Sequence, residues 1–460
     1  MIRTFQDFEK ATDKAKFVLE AIGTYKGSDL YKTALTADKY DAQKNETIYE
    51  IVPKIFTVAG TEVRDITASN NKIASNFFNR LNTQRCMYSL GNGISFIDPY
   101  EAAKGEPDRT KELLGPHFDH DIAEAGYYAL IHGCSYLFWD LNRCHVFKAT
   151  EFVPLDDEHD GTLKAGIRFW QLDTSRPLNA VLYEEDGYTT YRMGATGLDE
   201  IKEKTAYRIT YEYTEADDEL VPVMEENYSS LPVVRMYGSR LRQSTLVGMR
   251  EAIDSYDLVK SGFANDMTDC AQVYWIVENY GGMTDEDLKQ FLDRIKLNHV
   301  ANADTQSGGK VTPYTQEIPY SARQALLTEI RNGLYEDFGG LDVHTIAAGA
   351  TNDHIDAAYQ PLDENAADFE HWVSDAIIHL LSLQGIEDTP IFNRNRISNQ
   401  MEQVQMIVQE SAWLDRGTIL RKLPNITPDE TNAIMAAMEE EDISRSGFGQ
   451  EQTQQEEKQV

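Results

Sequence analysis

The chain has 460 residues, 43 Lys and Arg against 76 Asp and Glu, a formal net charge of −33 and 10% aromatic content. Such a length has room for about three domains with a sizeable core, and the aromatic content excludes a wholly disordered chain. The acidity excludes a tight grip on nucleic acid through a basic surface, but not a wall past which nucleic acid slides.

The pattern opens helically. Phe8, Ala11, Ala15, Val18 and Ile22 step at three and four, Gly23 closes the run, and Ser28 caps a second short helix through Lys39. A helix is predicted from Ser69 to Tyr88, with Ile73, Phe77 and Leu81 on one face, then a short strand from Ile94 to Ile97 and a helix from Ile122 to Ile131 ended by Gly133. The period then changes to two. Strands are predicted at Ser135–Asp140, Cys144–Phe147, Gly166–Leu172, Ala180–Tyr183, Tyr188–Met193 and Ala206–Tyr213, so that about 130–236 forms a mostly antiparallel sheet ending at Leu231-Pro-Val-Val.

Leu246 to Cys270 reads as one long helix of roughly 38 Å. Its apolar seam is thin: Leu246, Met249, Ile253, Tyr256, Val259 or Lys260, Phe263, Met267 and Cys270. A compact insert follows, with a strand at Val273–Val277, a turn at Gly281-Gly282, a helix at Asp285–Lys296 and a strand at Val311–Ile318. Ser321 to Phe338 is a second thin-seamed helix, stopped by Gly339-Gly340. After LDVHTIAAGA, a long helix from Thr351 bends or restarts at Pro361 and reaches Gly385. Helices are predicted at Ser398–Ser411, Asp415–Leu423 and Thr427–Glu441, then a disordered acidic tail.

The chemical inventory is thin. No phosphate-cradling loop is present; Ser307-Gly308-Gly309-Lys310 has Asp304 where the leading Gly belongs. His371, Asp375 and His379 share one side of a helix and suit either zinc or a polar edge. Asp156-Asp157-Glu158-His159-Asp160 suits either Ca²⁺ or a solvated turn, and His117, His120 and Asp121 either ligands or a loop before a capped helix. No nucleophile–base pair is evident. Cys86, Cys134, Cys144 and Cys270 form no CxxC pair and read as reduced thiols of a cytosolic compartment. Charged residues after Met1 interrupt any leader, and no apolar run approaches the roughly 18 residues of a membrane span.

Several strings, in order, carry a resemblance. They are the tyrosine-containing segment from Tyr31 to Ile48; NNKIASNFFNRLNTQRCMYSLGNGISF; EAGYYALIHGCSYLFW; LPVVRMYGSRLRQSTLVGMREAIDSYDLVKSGFANDM; and IFNRNRISNQMEQVQMIVQ. Together they resemble the portal proteins of tailed bacteriophages, of the long-tailed type, from about residue 25 to 440.

The resemblance implies an α+β subunit with a wing at 1–238, a stem helix at 239–270 and a small α/β clip at 271–320. A return stem helix at 321–338, a tunnel loop at 339–350, a long kinked wing helix at 351–390, a crown at 391–441 and an acidic tail at 442–460 would follow. It implies a homo-dodecameric ring at one capsid vertex that conducts double-stranded DNA in packaging and ejection. Implied partners are terminase, head-tail adaptor, scaffold and major capsid protein, with no cofactor, no catalysis and no membrane.

Leu341, Val343, His344, Thr345 and Ile346 would face DNA from the tunnel loop, with Arg250, Asp254, Asp257, Lys260 and Ser261 as stem positions. Helices side by side round a channel need apolar contact only on narrow flanks, which suits the thin seams, and an acidic or mixed lining leaves DNA mobile. A terminase-type packaging enzyme and another head-tail connector protein are the alternatives; the missing phosphate loop disfavours the first.

Overall fold

The computed structural model describes residues 3–51, 55–58, 61–64, 69–98, 106–140, 143–214, 219–269, 274–278, 284, 286–287, 289–290, 310–314, 320–345, 351–396, 400–411, 413, 416–423, 431, 433–435 and 437–438. Its elements run α1 (Phe5–Glu9), α2 (Lys14–Lys26), α3 (Asp29–Asp41), α4 (Glu46–Glu50), β1 (Ile55–Val58), β2 (Thr61–Arg64), α5 (Phe77–Leu90), β3 (Ile94–Ser95), α6 (Arg109–Leu114) and α7 (Phe118–His132). Strands β4 (Cys134–Trp139), β5 (Cys144–Lys148), β6 (Phe152–Asp156), β7 (Leu163–Trp170), β8 (Asn179–Glu184), β9 (Gly187–Met193), β10 (Leu198–Thr205), β11 (Arg208–Thr214), β12 (Glu219–Glu226) and β13 (Val233–Tyr237) follow. Then come α8 (Arg250–Asp269), β14 (Tyr274–Glu278), β15 (Lys310–Tyr314), α9 (Tyr320–Phe338), α10 (Asn352–Ser382), β16 (Ile391–Phe392), α11 (Gln400–Glu410) and α12 (Arg416–Lys422). The architecture is α+β, with antiparallel sheets and abundant helix.

The chain divides into two compact units. One comprises Met1–Asp38, Arg80–Val247 and Tyr335–Val460; the other comprises Lys39–Asn79 and Gly248–Leu334.

The first unit is built on two sheets. Strands β10-β9-β8-β7-β6 form a five-stranded antiparallel sheet. Its apolar side, with Val153, Leu155, Ile167, Phe169 and Leu182, buries Phe17, Val18, Ala21, Ile22 and Tyr25 of α2. Helix α2 does not stop at Gly23. It continues to Lys26 because Tyr25 is buried and its hydroxyl donates to the Ala149 carbonyl at 2.8 Å, so burial overrides the glycine.

The three-stranded sheet β13-β4-β5 packs with α7 and α10 around Ile122, Ala125, Ala129, Leu137, Phe369, Val373 and Ile377. The step from α7 into β4 is made by Gly133 at φ +94, whose N–H donates to the Ala129 carbonyl at 2.9 Å. A Cβ there would also meet the Gln243 backbone at 2.7 Å. An aromatic cluster holding Tyr136, Phe147, Phe152 and Tyr183 packs between strands of both sheets. Gly166 makes room for it, since a Cβ would lie 2.0 Å from Phe152 Cζ.

Strands β6, β10 and β12 add to those predicted, and the one sheet expected over about 130–236 is divided: β11 and β12 form a hairpin separate from the five-stranded and three-stranded sheets. Helix α10 runs through Pro361 as one element. The segment after it is fastened back. β16 pairs with β3, and Arg394 clamps Glu370 with bonds of 2.9 and 2.8 Å while also reaching Asp363, which accepts the Tyr88 hydroxyl at 2.6 Å.

The second unit holds α4, the hairpins β1–β2 and β14–β15, helix α8 and most of α9. The β14–β15 hairpin, with Ile276 opposite Thr312, matches the strands expected in the insert. The insert helix expected at 285–296 and the tail at 442–460 lie largely or wholly outside the described residues, as does Cys270.

Candidate functional site

Helix α8 begins at Arg250; Leu246 to Met249 form turns instead. Its buried stripe is Ile253, Asp257 and Ser261, one residue per turn, continued before the helix by Met249. This is rotated from the apolar seam read in the sequence: Met267 is 56% exposed, and Tyr256 and Phe263 are half-buried.

What covers the polar part of that stripe is the segment 69–76. It was expected to be helical, but helix starts only at Phe77. Alternate backbone N–H groups of the segment donate to side chains along α8. Asn71 donates to Asn265 Oδ1 at 2.6 Å, Ile73 to Ser261 Oγ at 3.0 Å and Ser75 to Asp257 Oδ1 at 2.8 Å. The period-two spacing of an extended chain thus meets one turn of helix per step. These amides satisfy their hydrogen bonds without forming a helix of their own.

The rest of the polar stripe is also engaged. Asn45 Nδ2 donates to the other Asp257 oxygen and, at 3.2 Å, to the Ser75 carbonyl. Asp254 accepts the Tyr40 and Thr47 hydroxyls, each at 2.6 Å. Arg250 reaches Glu46 at 3.2 Å and Asp254 at 3.6 Å. Burial, with the Asp254 hydrogen bond second, pushes the Tyr40 hydroxyl up to about 12.

Two stem expectations are therefore corrected. Asp257 (0% exposed) and Ser261 (3% exposed) do not face a channel; they anchor 69–76 within the chain. The physical reason is that a polar residue on the buried face of a helix pairs with backbone amides as readily as it faces water. Arg250 and Asp254 are partly buried in the ion-pair and hydroxyl cluster, and Lys260 is half-buried beside the Tyr256 ring at 5.6 Å. The exposed stripe of α8 is Glu251, Ser255 and Leu258, with Gly262 open enough that a Cβ would meet nothing within 4 Å.

At its far end α8 meets α9. Asp266 pairs with Arg323, and the Phe263 and Tyr320 rings lie 5.6 Å apart. Helix α9 is largely exposed up to Gly333, including Tyr320 and Leu326.

The carboxyl of Asp257 is raised by burial, with Asp254 adding to the rise and the Asn45 and Ser75 hydrogen bonds opposing it. A carboxyl raised in the folded state contributes stability that is present below the unfolded pKa and lost as pH rises through the folded value. Asp257→Asn does not titrate. Its unfolding midpoint should therefore compare best with the parent near neutrality, the parent gaining ground as pH falls from about 7 toward about 4. A difference independent of pH contradicts this.

The loop residues separate into two kinds. Leu341 is 5% exposed and packs with Tyr88, Ile355, Tyr359, Leu362 and Ala366, so it is a core residue. Val343 is 47% exposed and His344 is exposed, in a short 3₁₀ turn that includes Thr345. Ile346 lies outside the described residues.

The candidate metal-ligand groups are placed as follows. Asp157 accepts from the His159 N–H and Asp160 from the Thr162 N–H, both at 2.8 Å, as in a hydrogen-bonded turn. His371, Asp375 and His379 are exposed on α10. Among the described residues, His120, Asp121 and Glu124 bring three ligand atoms within 4.8 Å, but Asp121 is held by Arg143 through bonds of 2.8 and 3.1 Å.

Residues 28–445 match the family model "Phage portal protein, SPP1 Gp6-like". The chain is 23% identical over 446 residues to a portal protein of Clostridium phage phiCD119, covering 90% of this chain and 93% of the relative. It is 22% identical over 418 residues to the portal protein of Bacillus phage SPP1, covering 84% and 79% respectively.

Proposed function

Because the chain belongs to the SPP1 Gp6-like family of phage portal proteins, whose role is to conduct DNA at the capsid vertex, we propose that it works as a ring with α8 and α9 as its stem. The observation that carries this reading is the pair of largely uncovered helix faces in the second unit. The stripe Ser255, Leu258 and Gly262 on α8, with Leu326 and its neighbours on α9, would leave apolar and small residues in water in an isolated chain. Copies of the same subunit arranged head to tail cover such faces and close into a ring.

In this assignment the first unit supplies wing and crown, β14–β15 belongs to the clip, and Val343 and His344 project from the tunnel loop toward DNA. Residues 39–79, expected in the wing, serve the stem as the strap that holds α8. Twelve copies, virion location after assembly in the host cytoplasm, and docking of terminase, head-tail adaptor, scaffold and major capsid protein complete the proposal. The family is structural, and the ring acts without catalysis of its own.

Mass photometry of the purified protein across salt and protein concentration, alongside an ATP-hydrolysis assay, tests it. A discrete high multiple of 52.2 kDa without hydrolysis is expected. A strict monomer that hydrolyses ATP would establish the packaging-enzyme alternative.

A further inference from the structure

Where α9 ends, the chain is held by an unusual set of side chains. The Phe338 carbonyl, the last of the helix, accepts from Arg85 Nη2 at 2.9 Å and from Asn365 Nδ2 at 3.0 Å. Arg85 comes from α5 and Asn365 from α10, so two helices cap a third. Arg85 is 7% exposed, and its guanidinium lies 4.5 Å from the centre of the Phe338 ring. A buried arginine is well placed here because the carboxyl end of a helix carries partial negative charge.

Three residues on, Gln84 binds Leu341 twice. Its Oε1 accepts the Leu341 N–H and its Nε2 donates to the Leu341 carbonyl, both at 2.9 Å. This is the pairing a neighbouring strand would give, made by one side chain. The glycines between are shaped to the clamp. Gly339 has φ +60, and a Cβ there would lie 1.9 Å from Asn365 Nδ2; at Gly340 it would lie 2.5 Å from Leu81 Cδ2. Immediately beyond, the chain changes character, with Val343 and His344 exposed.

We propose that Gln84, Arg85 and Asn365 are positioning residues: a fixed mount that immobilises 338–341 and sets where the loop beginning at Asp342 stands. Force on Val343 or His344 is then carried into α5 and α10, not into the end of α9. The inference rests on the reading of that loop as DNA-facing for its functional consequence, but not for the mount itself.

Hydrogen exchange of the full-length protein, read at 335–345, tests it with Gln84→Ala and, separately, Arg85→Met and Arg85→Lys. In the parent, the Leu341 amide should exchange far more slowly than those of 343–345. Gln84→Ala should speed Leu341 about tenfold with the unfolding midpoint little changed. Arg85→Met should loosen Gly339 to Leu341, and Arg85→Lys should restore part of the protection. Equal exchange at Leu341 and His344 in the parent, or no change at Leu341 in Gln84→Ala, overturns the mount.

Phage carrying Val343→Ala and His344→Ala provide the separate check. If they package DNA normally while the exchange result holds, the loop's DNA-facing role fails and the mount stands.

Discussion

Asp257→Ala is expected to lower the stability of the purified chain by about 3 kcal/mol, because it strips a buried amide and a buried carboxamide of their acceptor. The lost partners are the Ser75 N–H and Asn45 Nδ2. Denaturant titration of the parent, Asp257→Ala, Asn45→Ala and the double variant measures it. The double variant should fall short of the sum by about 1–2 kcal/mol, since the two residues share one network. The 69–76 segment should also become protease-sensitive, because it forfeits its Ser75 contact on α8. If Asp257 instead faced DNA, stability would be unchanged.

The second large effect is on DNA passage. Glu251 on α8 and Glu329 on α9 are exposed acids on the helices proposed as the stem. In a ring, each substitution recurs in every subunit. Glu251→Lys with Glu329→Lys should therefore add a band of phosphate-binding cations, each strengthening a salt-dependent grip on the duplex. Filled capsids should drop about tenfold while empty capsids with portals still assemble, and raised salt should recover part of the loss in packaging extracts. Packaging equal to the parent at every salt concentration would count against an electrostatically slippery bore.

Much of the fold is legible locally. The apolar runs of β4 and β8, the alternation in β9, the left-handed stop at Gly133 and the two long helices α8 and α9 each follow from a few adjacent residues. The misses have a common physical cause, which is that the deciding partner is distant in sequence. Ile73, Phe77 and Leu81 keep helical spacing, yet 69–76 forms no helix because Asn265, Ser261 and Asp257 take amides at 71, 73 and 75. Strand β10, LDEIKEKT, buries only Leu198, so it carries almost no apolar alternation.

The site was legible in outline and misread in detail. The long helix α8 is legible, but the face it buries is not, because the sequence assigns every Asp and Ser to a wet side. Asp257 and Ser261 are instead the inner face. The turn after α9 is legible as well, but Leu341, expected to face DNA, is part of the core. The signal available was its two neighbours: Gly339-Gly340 marks a tightly turned, closely packed approach as well as a flexible one.

The measurement that bears most directly on the central claim is a cryo-electron microscopy map of the assembled protein at side-chain detail. A closed ring with an axial hole is expected. In it, the α8 stripe Glu251, Ser255 and Leu258 lies against a neighbouring subunit or the bore, while Asp257 stays on Ser75 and Asn45 of its own chain. A ring built through the first unit alone, with α8 and α9 exposed to bulk solvent on all of those faces, would contradict it.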